Sequence, residues 1–467
     1  MPTEMIPMTL LALSFGVIAV YVALIWRHGT VLTGFTMMAA LSFFLTNLSL
    51  FFISELFGLP HDITTCHIVV WSYSIFGLFA YAGGVWLAWR PLRERAPIAN
   101  PFVVQPNLVV VFAVLGVLTT FFARHLPFIP TLSSALYQLA LFFPIAVVGA
   151  VTQAVEKRNY GRLFLTAAVF FPVALVTVVM TGFAGLMGTF LLNPIMVFLF
   201  YRRPKVWKVG AMLLVIYGYF LAASVWLGSR DVIRGGELEG RSLSDKITTF
   251  YSQFATTAAD SILNPETAQA AARTRVDLSI YNVLQVDWMP EGAPYSWGRG
   301  LFVDPLLAAV PRIIWKDKTF RLGDSEYINS YTGLQLSNES ISVDTNITFE
   351  LYSNFCWPGV VVGLFIFGYV LARIELRLFR PGNSVKMITV LLILAVGLST
   401  GGRRAAAMML ENGLAVVSAL GIGILLQYCP YFRNPSKTAC STGAAAHTGV
   451  SQSRGDRSGP HFGRRLQ

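Results

Sequence analysis

Eleven apolar runs of fifteen residues or more, each free of Asp, Glu, Lys and Arg, constrain the fold more than any other feature. They are residues 5–26, 30–53, 67–89, 107–123, 132–154, 163–180, 183–201, 209–228, 358–372, 387–401 and 413–428. A hydrocarbon core of about 30 Å takes roughly 20 apolar residues in a helix, and the runs cluster around that length. Backbone groups in hydrocarbon find no water, so such runs must satisfy their hydrogen bonds internally, as helices do. Charged residues make up 13% of the 467 residues, and the mean hydropathy is +0.60. Soluble domains carry about 25% charged residues. The expected fold is therefore an all-α polytopic integral membrane protein of about 11 transmembrane helices, with one large outer loop containing short helices.

The net charge of +11 does not point to nucleic acid, because basic residues orient membrane spans. The run from 163 to 201 has basic clusters on both flanks: Lys157, Arg158 and Arg162 before it, and Arg202, Arg203, Lys205 and Lys208 after it. Flanks of like sign require an even number of crossings, so two short helices are expected, joined at Thr181-Gly182-Phe183-Ala184-Gly185. Alternating the connections then puts 21 basic residues on one side and, outside the large loop, only Arg124, Arg403 and Arg404 on the other. That bias places the N-terminus and the large loop outside and the C-terminus in the cytoplasm. The expected organisation is a bundle over 1–228, the loop over 229–357, further helices over 358–433 and a disordered tail over 434–467. No internal repeat of the kind seen in many secondary transporters is apparent.

Cys66, Cys356, Cys429 and Cys440 lack metal-ligand spacing. Cys66 and Cys356 both fall at outer span ends, where a bridge or two buried free thiols are the alternatives.

Within the loop, Arg230 and Arg234 are four apart and share a helical face directly after an apolar run. A guanidinium pair suits a diphosphate, since Arg binds phosphate oxygens bidentately and keeps its charge; two snorkelling arginines are the alternative. Arg403-Arg404 follow Ser399-Thr400-Gly401-Gly402, again on the side that should be poor in Arg, with Glu411 nearby as a neutralising partner. Trp288, Tyr295, Trp297, Gly298-Arg299-Gly300, and Pro311-Arg312-Ile313-Ile314-Trp315-Lys316-Asp317-Lys318 bring aromatic and cationic groups together. This is the composition of a surface for sugars or lipid head groups. Asp344, Glu350 and Glu326 are the candidate acids. Glu350 lies in Phe349-Glu350-Leu351-Tyr352-Ser353-Asn354-Phe355, at the border of an apolar run, where it is a candidate proton acceptor or a helix N-terminal acid. His61, His67 and His125 are weaker candidates.

The segments Gly298-Arg299-Gly300, Val310-Pro311-Arg312-Ile313-Ile314-Trp315-Lys316-Asp317-Lys318 and Phe349–Phe355, followed by Pro358-Gly359-Val360-Val361 and Gly368, resemble the bacterial oligosaccharide repeat-unit polymerases of the Wzy type. These act in O-antigen and exopolysaccharide synthesis. Cys356 stands where the pattern prefers glycine, which predicts a different local turn. The resemblance covers roughly residues 200–415. It implies a bacterial inner-membrane, multi-pass protein whose large loop is periplasmic. A growing glycan on undecaprenyl diphosphate would be transferred onto a new lipid-linked repeat unit, with lipid diphosphate leaving, and with no nucleotide sugar or obligatory metal. A chain-length regulator and a flippase would be its partners, beside the lipid bilayer. On that reading Glu350, Asp344 and Arg312 are catalytic. Arg230, Arg234, Arg299, Trp315, Lys318, Tyr352, Arg403 and Arg404 bind substrate. An O-antigen ligase shares the same general plan. A lipid-linked oligosaccharide flippase or transporter predicts charges at mid-bilayer and paired halves, and a non-catalytic assembly protein tolerates loss of the arginines.

Overall fold

The computed structural model describes residues 63–90, 106–125, 158–181, 279–304, 324–335 and 345–378 continuously, with scattered single positions before and between them. All lie in the first of two compact units, Met1–Gly423 and Ile424–Gln467. Every regular element among the described residues is helical: α1 (Ile63–Trp89), α2 (Pro106–His125), α3 (Tyr160–Thr181), α4 (Ser279–Trp288), a π-helical turn (Arg299–Val303), α5 (Asp324–Thr332) and α6 (Ile347–Leu378). Four of the eleven apolar runs fall on α1, α2, α3 and α6. α3 covers Tyr160–Thr181, and most of the expected join at 181–185 lies outside the described residues. The other seven runs lie outside the continuously described residues, as do Arg230, Arg234, Arg312, Trp315, Lys318, Asp344, Arg403 and Arg404.

Among the described residues, two helical stretches are long and apolar enough to cross a membrane, Thr65–Trp89 and Ile347–Arg373. They pack together through glycine. A β-carbon at Gly84 would collide with the backbone of α6, at 2.8 Å from Tyr369 N and 3.1 Å from Phe365 C. One at Gly368 would lie 3.0 Å from Tyr81 Cδ2 and 3.2 Å from its carbonyl carbon, and Gly77 faces Val360 and Leu364. Small residues on both helices let their backbones approach closely. The contacts advance together along α1 and the part of α6 after Pro358: Gly77 with Val360 and Leu364, Gly84 with Phe365 and Tyr369. That part of α6 therefore runs parallel to α1. Between them lie the buried side chains Val70, Tyr73, Val85, Val360, Leu364 and Leu371.

α6 is two helices across a break. Asn346 caps the first, its side-chain Oδ1 accepting from the Phe349 N–H at 2.8 Å and from the Thr348 hydroxyl at 2.7 Å. Pro358 favours the break, although Pro172 lies within the continuous α3. Proline has no N–H to give the Asn354 carbonyl, and its ring would clash with that carbonyl in a continuous helix. The chain escapes at Phe355 (φ −137°, ψ 17°) and Cys356 (φ 62°, ψ −168°). Pro358 then falls in the first turn of the second half, where its missing donor costs nothing. The reversal is sharp. A β-carbon on Gly359 would run into the Phe355 side chain, and Leu351 packs onto Gly363. Twelve residues of unbroken helix would separate those two by about 18 Å. The sequence reading began its span at Pro358; helix in fact extends back to Ile347, and the motif around Glu350 forms its first half.

A candidate site at the helix break

A helix that stops inside a protein leaves carbonyls without partners. At this break they are met by the loop after α4. The Ser296 N–H donates to Ser353 O at 2.9 Å, and the Trp297 N–H donates to Asn354 O at 3.0 Å. The Asn354 side chain completes the junction. Its Oδ1 accepts from the Ser296 hydroxyl (2.7 Å) and the Gly298 N–H (3.0 Å), while its Nδ2 donates to Glu350 O at 2.7 Å. These partners fix the orientation of the amide. Glycine is required for the fit: Gly298 has φ +88°, and a β-carbon on Gly300 would lie 3.2 Å from Asn354 Nδ2 and 3.3 Å from the Tyr327 hydroxyl. Two segments more than fifty residues apart in the chain, Gly298-Arg299-Gly300 and Tyr352-Ser353-Asn354-Phe355, thus form one unit.

A buried polar network continues inward. Ser353 donates its hydroxyl proton to Glu350 O at 2.9 Å, so in its bond with Tyr327 the phenol is the donor. Asn282 Nδ2 donates to Thr348 Oγ1 at 3.1 Å, and Gln285 Nε2 donates to Phe349 O at 3.0 Å. The buried face of α4 is Ser279, Asn282, Val283 and Gln285, three polar residues to one apolar. Buried polar groups persist where they are hydrogen-bonded, and here they tie α4 to the first half of α6. The sequence reading missed Asn282, Gln285, Ser296, Tyr327 and Asn346. The one legible signal was the asparagine before the apolar run, a helix-start residue at Asn346.

The nominated residues within the described part separate clearly. Glu350 is fully buried in the first turn of α6. Tyr352 is also buried, its ring stacked on Tyr73 at 5.4 Å and meeting Tyr295 edge-on at 6.1 Å. Arg299 points outward, 71% exposed, with Nε 3.4 Å from Asp304 Oδ1. An ion pair so exposed contributes little to stability and leaves the guanidinium accessible. Trp288 and Trp297 are exposed; Trp288 lies over Gly292 and Gly333. Glu326 is half-buried on α5. Cys66 and Cys356 are both free thiols. Cys66 Sγ lies 3.9 Å from Asp287 Oδ1, and the Tyr295 hydroxyl donates to Cys356 Sγ at 3.2 Å. Burial pushes the Tyr295 phenol up, and the bond to Cys356 adds to it.

At Cys356 the backbone is one that glycine adopts and side chains resist. The cysteine occupies a glycine-type turn.

No curated protein and no solved structure matches the chain. Residues 24–378 match a family described as a domain of unknown function, DUF8712. The match takes in α1 to α6 and ends at the last residue of α6, so the chain belongs to the DUF8712 family.

Proposed function

We propose that this protein is a membrane glycosyltransferase that polymerises lipid-diphosphate-linked oligosaccharide repeat units at the periplasmic face of the bacterial inner membrane. The observation that carries the reading is the junction between Gly298-Arg299-Gly300 and Tyr352–Phe355. These are two of the segments in which the chain resembles the repeat-unit polymerases, and they meet at the end of an apolar helix. The parallel packing of α1 and α6 supports the topology: helices that enter from the same face need an odd number of crossings between them, and the charge pattern calls for five. The α4–α6 junction lies at the entry ends of both helices, near Cys66 on α1 and Cys356 on α6, as an outer loop would.

In this reading Arg299 is an accessible cation beside the junction, and Arg230, Arg234, Arg312, Lys318, Arg403 and Arg404 complete the diphosphate and glycan contacts with Trp315. A cation clamp on the leaving diphosphate acts on charge that develops in the transition state. Glu350 or Asp344 takes the proton of the acceptor hydroxyl, and displacement inverts the anomeric centre. A base needs hydrogen-bond reach to that proton. Fully buried Glu350 would meet that proton only in a site closed off from solvent. The test is the size distribution of surface glycan and its lipid-linked precursor in cells lacking the chain. Surface material capped with single repeat units, restored to polymer by the intact gene but not by Arg299→Ala or Glu350→Gln, is the expected result. Full-length polymer left on its carrier would indicate a ligase instead, and precursor held at the cytoplasmic face a flippase.

A further inference from the structure

The backbone of residues 296–298 is pinned to the break in α6, yet the side chains that follow point away from the protein. Trp297 is 77% exposed, Phe302 65% and Val303 47%, whereas Gly298 and Gly300 face inward. Trp297 holds φ at 47°, a conformation bulky residues avoid, and its exposed ring gains little packing in return. The Phe302 ring lies beside Gly298 together with that of Phe355, which fixes the turn next to Trp357, itself 52% exposed. From Trp357 an apolar ridge continues down α6, with Val362, Ile366 and Val370 four residues apart and all exposed. A ridge of this kind suits acyl chains on a helix long enough to cross a bilayer. The aromatic turn sits at its upper end, where amphipathic rings settle at the head-group level. Arg299, exposed between Trp297 and Phe302, adds a cation for lipid phosphate.

We infer that the segment Trp297–Val303 is inserted into the interfacial layer of the bilayer beside α6, with Trp297, Phe302 and Trp357 as its anchors and phospholipid as its partner. The inference rests on the membrane placement of α6 proposed above. It fixes the depth of the candidate site: the junction at Asn354 lies at the head-group level, where the diphosphate of a lipid-linked substrate also lies, and not on a domain standing clear in the periplasm.

The test is spin-label accessibility in the full chain reconstituted in phosphatidylethanolamine–phosphatidylglycerol vesicles. Labels are placed singly by Phe302→Cys, Val303→Cys, Ile366→Cys and Glu291→Cys, in a background carrying Cys66→Ser, Cys356→Gly, Cys429→Ser and Cys440→Ser. Labels at 302 and 303 are expected to favour oxygen over a water-soluble nickel complex, at values between those of the exposed Glu291 site and the Ile366 site. Labels at 302 and 303 as open to nickel as the one at 291, with 366 still in lipid, would overturn the inference and leave the membrane reading standing. Labels at 302 and 303 closed to both reagents would mean that protein covers the turn, and would also overturn it. A water-exposed 366 would remove the membrane reading and the inference with it. The unsubstituted protein gives a second measurement: vesicles containing a photoactivatable phospholipid should leave lipid adducts on the 297–303 peptide, and adducts confined to α6 would refute the insertion.

Discussion

Replacing Cys356 by glycine should make the protein more stable, although it removes a half-buried side chain. At φ 62° and ψ −168° the backbone occupies a region open essentially to glycine alone. A residue held there stores about 1–3 kcal/mol. Glycine releases that strain. Against it stand about 0.5–1 kcal/mol for the greater freedom of the unfolded chain and the weak hydrogen bond from the Tyr295 hydroxyl to the thiol. The net expectation for Cys356→Gly is a gain of up to about 2 kcal/mol. Cys356→Ala keeps the strain and loses the sulfur, so it should fall slightly below the native protein. Cys356→Val adds branching at the β-carbon and should fall by about 2 kcal/mol or more. The assay is the thermal midpoint of the detergent-solubilised protein, followed for all four chains under one condition. The order Gly, Cys, Ala, Val is expected. A glycine variant no more stable than the alanine variant, or a valine variant equal to the native protein, would refute the positive-φ turn and the account of the break built on it.

Other consequences can be checked in the same way. Asn354→Ala removes the acceptor of the buried Gly298 N–H and the donor to Glu350 O; a loss of about 2–4 kcal/mol and faster proteolysis within 289–304 are expected. Gly84→Val should abolish the close approach of α1 and α6, seen as loss of a cross-link between single cysteines placed on α1 and α6, while Phe76→Val, at an exposed position, should preserve it. The Tyr281 and Tyr295 phenols are both raised by burial. Their folded state holds its protons more tightly than the unfolded chain, so stability should be level below about pH 10 and fall as pH rises further; Tyr295→Phe should lessen that fall in a pH series of thermal midpoints.

Part of the helical framework was legible because its signal is local. The apolar run that ends at Trp89 coincides with the end of α1, since charge stops an apolar helix where it falls. Pro358 likewise marked where the second half of α6 begins. Gly298-Arg299-Gly300 was visible as a motif, but the reading assigned its value to the arginine. In the structure the glycines make the contact with Asn354, and the arginine faces solvent. Glu350 reads from the sequence as an acid near a helix start, whereas its complete burial is a property of the folded structure.

What the sequence alone determined is the set of apolar runs, their flanking charges and the position of Pro358, each a property of a few consecutive residues. What only the tertiary structure decided is the use of the break in α6. Pro358 removes the donor that would meet the Asn354 carbonyl, but nothing nearby in sequence says which donors will meet it and the Ser353 carbonyl. Ser296, Trp297 and Gly298 do so from more than fifty residues away. The pairing exists because unpaired buried polar groups are too costly to leave, and only a folded chain can bring distant donors to meet them.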